Sequence, residues 1–110
     1  PADMPGLVPH GFAVAVNAPA AFAFLEPTSP ERHAEASRLL GGDGALNVTM
    51  SSIMRAVGCP NGTSGVGYTE ADIPNLVASA APQRRLLDNA PGPVFEPELT
   101  ELFGLAERCW

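Results

Sequence analysis

The sequence predicts an all-α chain, with five or six short helices in one bundle-like layer. Apolar residues recur at spacings of three and four, as in Leu46, Met50, Ile53, Met54 and Val57, the period of a helix with one buried face. Helix-start signals precede several such runs, and glycine or proline closes them. No stretch alternates long enough to make a convincing sheet.

The elements follow in order. Residues 1–9 carry Pro1, Pro5, Gly6 and Pro9, and each X-Pro step pushes the preceding residue away from helix, so an extended lead-in is expected. Pro9 suits the first turn of a helix, where a missing N–H is harmless. Residues 10–25, HGFAVAVNAPAAFAFL, are apolar on every side, the mark of a helix surrounded by protein. Pro19 is expected to kink or split it. The valines leave a strand over Phe12–Val16 as the weaker alternative. Thr28 with Glu31 predicts a capping box, with Pro30 in the first turn, and Ala36, Leu39 and Leu40 as the buried face. Gly41 and Gly42 should end that helix. Leu46–Val57 is the next, stopped by Gly58 and Pro60. Asn61–Gly67 reads as a loop. Thr69 with Asp72 predicts another capping box, and Pro74 then implies a tight first turn or a restart. Leu76, Val77 and Ala80 form the apolar face of the helix that Pro82 ends. A short helix over Gln83–Asn89 precedes the Pro91-Gly92-Pro93 loop. The last helix spans Pro97–Arg108, with Leu99, Leu102, Phe103 and Ala106 on one stripe.

Composition excludes several classes of partner. The 110 residues suffice for one small domain. Twelve acidic residues against six arginines give a net charge of -6, which argues against a nucleic-acid partner and against an anionic membrane surface. The apolar run Phe12–Leu25 is too short to span a bilayer. No signal or transit peptide is visible, and a chain that opens on Pro1 reads as cut from something longer. Cys59 and Cys109 are expected to be reduced, partly buried thiols.

Few residues suggest chemistry. His10 stands between Pro9, which fixes the backbone, and Gly11, which leaves room for a close approach. That is a sensible way to present a metal ligand, and histidine is the commonest. A catalytic metal needs at least three protein ligands, and the chain offers no cluster to complete the set. His33, beside Glu31 and Glu35, reads as a solvated or half-buried surface residue. Gly62–Gly67 matches neither a P-loop nor a dinucleotide fingerprint. Asn47-Val48-Thr49 and Asn61-Gly62-Thr63 fit the glycosylation pattern, and read as chance matches. Glu98 and Glu101 are helix-start charges rather than an acid/base pair.

Longer segments are more specific. VPHGFAV (8–14), PERHAEASRLLG (30–41), GVGYTEADIPNLV (65–77) and APQRRLL (81–87) occur in this order, before an amphipathic helix ending in an aromatic residue. From Val8 to Trp110 the sequence resembles the C-terminal part of the iron-containing (group III) alcohol dehydrogenase family, and within it the hydroxyacid-oxoacid transhydrogenase branch. The resemblance implies that residues 1–110 form part of the C-terminal all-helical domain of a dehydroquinate synthase-like fold. An upstream nucleotide-binding domain would complete it, with metal and substrate in the cleft between the two.

The same resemblance implies a divalent metal, iron or zinc, held by one Asp and three His, the last of which maps onto His10. It implies NAD as hydride carrier, and oxidation of 4-hydroxybutyrate to succinic semialdehyde coupled to reduction of 2-oxoglutarate to 2-hydroxyglutarate. The implied partners are the upstream domain and a small hydroxy or oxo acid, a homodimer is left open, and the location is cytoplasmic or mitochondrial matrix. The chain alone is expected to be inactive and to bind no cofactor tightly. It departs from the family in three ways. The other metal ligands and the nucleotide-binding half lie outside it. Its segment between Gly41 and Ile53 is shorter than in relatives. Phe95 stands where relatives often carry a capping Thr or Ser. Two alternatives stay open: an iron-type dehydrogenase of simple alcohols, and a non-catalytic helical interaction module.

Overall fold

The structure, a computed structural model, describes residues 8–110. The lead-in expected over residues 1–9 therefore lies mostly outside the described residues. Six helices follow: α1 (His10–Leu25), α2 (Pro30–Leu39), α3 (Leu46–Ala56), α4 (Ile73–Ala80), α5 (Arg84–Leu87) and α6 (Glu96–Ala106). Tight turns of 3-10 type occupy Glu26–Thr28, Thr63–Val66 and Glu70–Asp72. No strand occurs among the described residues, so the alternative strand over Phe12–Val16 is not adopted.

The packing order is α2, α3, α1, α6, α4, with α1 held between α3 and α6. The result is a slab of 40 × 32 × 20 Å. Its radius of gyration, 14.2 Å, exceeds the ~13 Å of a self-contained domain of this length. One cluster joins Val77 of α4, Val94 of the loop before α6, and Leu99 of α6, with Phe24, Leu102 and Phe103 against them. Val16 and Ala20 of α1, Leu46 and Met54 of α3, and Ala106 of α6 are also buried.

α1 is one continuous helix through Pro19, which is itself buried. Proline removes one internal hydrogen bond, and packing between two helices here holds the segment without a split. Pro9 is the residue before the helix, at φ -54 and ψ 139, rather than a first-turn residue. The expectation that protein surrounds α1 holds only for its second half. Phe12 is 45% exposed and Val14 56%, because α3 and α6 cover the helix only from about Val16 onward.

The start of α2 lies one residue later than expected. Ser29 precedes the helix, while the Thr28 hydroxyl turns back to donate to the Leu25 carbonyl at 2.6 Å. The buried face is also different. Ser37 is buried, whereas Leu39 and Leu40 are 75% and 52% exposed. The contact between α2 and α3 is made by small residues: the Ser37 and Thr49 hydroxyls lie 2.6 Å apart, and the leucines face the other way. Gly41 and Gly42 end α2 as the sequence suggests. Gly41 has φ +90, its N–H donates to Arg38, and the Gly42 N–H donates to Ser37, the paired bonds of a Schellman cap. Gly58 (φ +81) and Cys59 close α3 in the same way.

The stripe on α3 is buried at Leu46 and Met54 but exposed at Ile53 (42%) and Val57 (71%). Thr49 and Ser51 are buried instead. In the second capping box the Asp72 carboxylate accepts from the Thr69 N–H at 2.8 Å. The tight turn then hands over to α4 at Ile73, so Pro74 marks a restart. At α6 the Glu98 carboxylate accepts from the Phe95 N–H at 2.8 Å. The Phe95 ring takes another role: the Arg84 guanidinium lies 4.4 Å from its centroid, a cation–π contact.

Candidate functional site

His10 is the first residue of α1 and is exposed. No side chain among the described residues caps the N-terminal N–H groups of that helix, and a helix N-terminus presents partial positive charge. A cation held there by a neutral imidazole needs carboxylate to offset that field. Among the described residues, nothing lies within 4 Å of where a Cβ of Gly11 would stand. The neighbouring Phe12 and Val14 are exposed on the same stretch. Among the described residues, His10 thus stands on an exposed, apolar end of the slab.

The described residues do not make a metal site by themselves. No group of three or more His, Cys, Asp or Glu residues comes together among them. His33, the other histidine, is half-buried on α2 and meets Phe22 edge-on at 5.9 Å between ring centroids. Its Nδ1 is buried without a hydrogen-bond partner among the described residues. It belongs to the α1–α2 packing, as its place bordering the buried face suggests.

A second constellation lies at the C-terminal end, where the sequence shows only an Asn-Gly loop. The Asn61 side-chain oxygen Oδ1 accepts from the Cys109 N–H at 2.6 Å and from the Trp110 N–H at 3.0 Å. Its amide nitrogen donates to the Trp110 carbonyl at 2.5 Å. The Ser64 N–H donates to the Glu107 carbonyl at 3.0 Å. Both the oxygen and the nitrogen of the Asn61 side chain are therefore engaged with residues nearly fifty positions away. That spacing leaves no local signal, so sequence reasoning missed the clamp. The same contacts show Gly62–Gly67 as a packing loop. Gly62 has φ +66, and a Cβ there would strike the carbonyl oxygens of Ala106 and Glu107.

Both cysteines are free and half-buried. Burial holds the Cys109 thiol above its usual pKa of 9.0, a hydrogen bond from the Gly62 backbone opposes this, and nearby Cys59 raises it slightly further. Cys109 also donates weakly to the Val16 carbonyl at 3.5 Å, which ties the tail to α1.

Comparison with known proteins gives relatives along almost the whole chain. The mitochondrial hydroxyacid-oxoacid transhydrogenase of Bos taurus is 36% identical over 114 residues, covering 94% of this chain and 24% of the relative. That of Homo sapiens is 37% identical with the same coverage. The probable mitochondrial hydroxyacid-oxoacid transhydrogenase of Dictyostelium discoideum is 34% identical over 107 residues, covering 88% of this chain and 20% of the relative. No family model matches the chain, and no solved structure matches it. The bovine match extends over 114 positions of alignment, more than the whole 110-residue chain, so the relative carries residues that this chain lacks. The chain spans about a quarter of the length of these relatives. Along 94% of its residues, then, the chain is homologous to one quarter of the hydroxyacid-oxoacid transhydrogenases, the branch of the iron-type alcohol dehydrogenase family that its ordered motifs resemble.

Proposed function

We propose that this chain is the C-terminal helical part of a metal- and NAD-dependent hydroxyacid-oxoacid transhydrogenase, and that it contributes His10 and one wall of the catalytic cleft. The observation that carries the reading is the similarity over 94% of the chain to enzymes of that name. The placement of His10 supports it, because it is exposed among the described residues at the start of α1, where another part of the enzyme could reach it. The described residues supply one donor where a catalytic metal needs three or more. In this reading the remaining ligands and the nicotinamide site come from the part of the enzyme outside this chain. In that enzyme the substrates are 4-hydroxybutyrate and 2-oxoglutarate, and the hydride passes between them on bound nicotinamide. The relatives are named as mitochondrial, and the same compartment is proposed here.

The test uses the whole enzyme. His10→Ala should abolish hydride transfer and reduce metal content while leaving circular dichroism and melting unchanged, since His10 is exposed and packs on nothing in the core. Retained activity with full metal content would remove His10 from the site. Oxidation of 4-hydroxybutyrate should need 2-oxoglutarate. Rapid release of free NADH without the oxo acid would point instead to an iron-type dehydrogenase of simple alcohols.

A further inference from the structure

Asn61 and Gly62 form the one Asn-Gly step in the chain, whose other four asparagines precede Ala, Val or Leu. An asparagine followed by glycine is open to a spontaneous reaction. The backbone nitrogen of the glycine attacks the side-chain amide carbon, since no Cβ shields that nitrogen and the glycine backbone turns freely. The new C–N bond closes a succinimide ring, and the side-chain nitrogen leaves as ammonia with the proton from the backbone. Water then opens the ring on either side. The sum is asparagine and water to aspartate or isoaspartate and ammonia, with no oxidant or enzyme.

The fold restrains both reacting groups. Asn61 Oδ1 accepts from the Cys109 and Trp110 N–H groups, and Nδ2 donates to the Trp110 carbonyl, so the amide carbon is held toward the tail. The peptide that must rotate is held too. The Asn61 carbonyl accepts from the Ser64 hydroxyl and from the Gly65 N–H, both at 3.1 Å. The glycine itself is demanded by the packing. Position 62 has φ +66, and the Ala106 and Glu107 carbonyl oxygens stand where a Cβ would go. The close approach of this turn to the chain leaving α6 thus creates the Asn-Gly step, and residues 109–110 of that chain engage its amide.

We propose that Asn61 is a latent deamidation site, protected while residues 109–110 hold its side chain and converted irreversibly to aspartate or isoaspartate once they let go. Conversion removes the donor to the Trp110 carbonyl. Isoaspartate also adds a methylene to the backbone ahead of Gly62, so the tail cannot rebuild the same clamp. Release of the tail is thereby recorded in covalent structure. The inference stands on the clamp alone and does not depend on the transhydrogenase reading.

The experiment incubates the full 110-residue chain in mildly alkaline buffer, folded and in urea. Mass mapping of the Asn61 peptide follows conversion, with aspartate and isoaspartate separated by chromatography. The reaction follows the fraction of molecules with an open clamp, so it should run roughly ten- to hundred-fold slower in the folded chain than in urea. Removing Cys109 and Trp110 should bring the folded rate close to the urea rate at unchanged helix content. Should that truncation cost helix, Cys109→Pro decides, because it deletes one donor N–H and keeps Trp110; it should raise the folded rate part of the way. Gly62→Ala in urea should slow conversion several-fold, which identifies the Gly62 nitrogen as the nucleophile. The converted chain, returned to native buffer, should show red-shifted Trp110 emission. Any of five results overturns the proposal: equal rates folded and in urea, no conversion in urea, a folded rate that neither tail variant raises, an undiminished rate in Gly62→Ala, or unchanged Trp110 emission after conversion. None of these bears on His10, so this site and the transhydrogenase reading fail separately.

Discussion

The hydroxyls of Ser37 and Thr49 lie 2.6 Å apart in the interface between α2 and α3, and both residues are buried. Gly42 sits against the pair: a Cβ there would strike the Thr49 hydroxyl and stand 2.8 Å from the Ser37 oxygen. The α2–α3 corner is thus built from a polar contact and a close backbone approach, with little apolar packing. Ser37→Ala should destabilise the chain by about 1–3 kcal/mol, because it strands the Thr49 hydroxyl in the interior. Ser37→Ala combined with Thr49→Val should recover much of that loss, since it removes both polar groups with little change of shape. Urea unfolding midpoints at constant slope would measure each. A double variant less stable than the sum of the two singles would contradict the pairing.

Gly62→Ala should be more damaging than an ordinary loop substitution. Its φ of +66 with ψ of -167 lies in a region used almost only by glycine, and the added methyl meets two carbonyl oxygens of the chain leaving α6. The expected loss is about 1–3 kcal/mol from backbone strain, with more if the tail is displaced. Gly44→Ala is the control, since nothing lies within 4 Å of a Cβ there and its φ is ordinary. Equal melting temperatures for the two variants would contradict the close approach at Gly62.

These features mark where the sequence is legible. The long helices, their glycine caps and the stripe on α6 follow from local periodicity, and the structure places Leu99 and Ala106 in the core as that stripe requires. Leu39, Leu40, Ile53 and Val57 are exposed instead of buried because periodicity identifies an apolar face without saying what covers it. The Ser37–Thr49 and Asn61–Trp110 contacts join residues twelve and forty-nine positions apart, and neither residue type nor spacing announces them. His10 was visible through the Pro-His-Gly motif, and its exposure at the start of α1 depends on which elements the chain brings to that end.

The Asn61 clamp predicts local rather than global effects. Asn61→Ala removes two accepted bonds and one donated bond to the Cys109–Trp110 tail, so the amides of those two residues should lose protection from hydrogen exchange. Trp110 is the only tryptophan and lines a groove with Asn47, Ser51 and Arg55 of α3, so its emission reports the tail alone. A red shift and greater quenching by acrylamide are expected, at nearly unchanged α-helix content. Asn61→Asp keeps an acceptor but loses the donor to the Trp110 carbonyl, and should fall between the two. Unchanged Trp110 emission in Asn61→Ala would mean that the clamp does not hold the tail.

The Cys109 thiol gives a pH dependence whose sign follows from its surroundings. Burial raises its pKa above 9.0, more than the Gly62 hydrogen bond lowers it. The folded chain therefore keeps this proton at a pH where the unfolded chain has released it. Stability from this group is fully present below the unfolded value and is lost as pH rises from about 9 through the raised folded value, because unfolding then releases a proton. Cys109→Ala should flatten that alkaline decline relative to the unsubstituted chain. Cys59→Ser, which removes the weakest of the three influences, should change it only slightly. Thiolate is the reactive form, so Cys109 should also be alkylated more slowly than an unfolded-chain thiol at pH 8. Melting temperatures across pH 8–11 for the three proteins make the comparison, and an alkaline decline that is identical in Cys109→Ala would assign it to other groups.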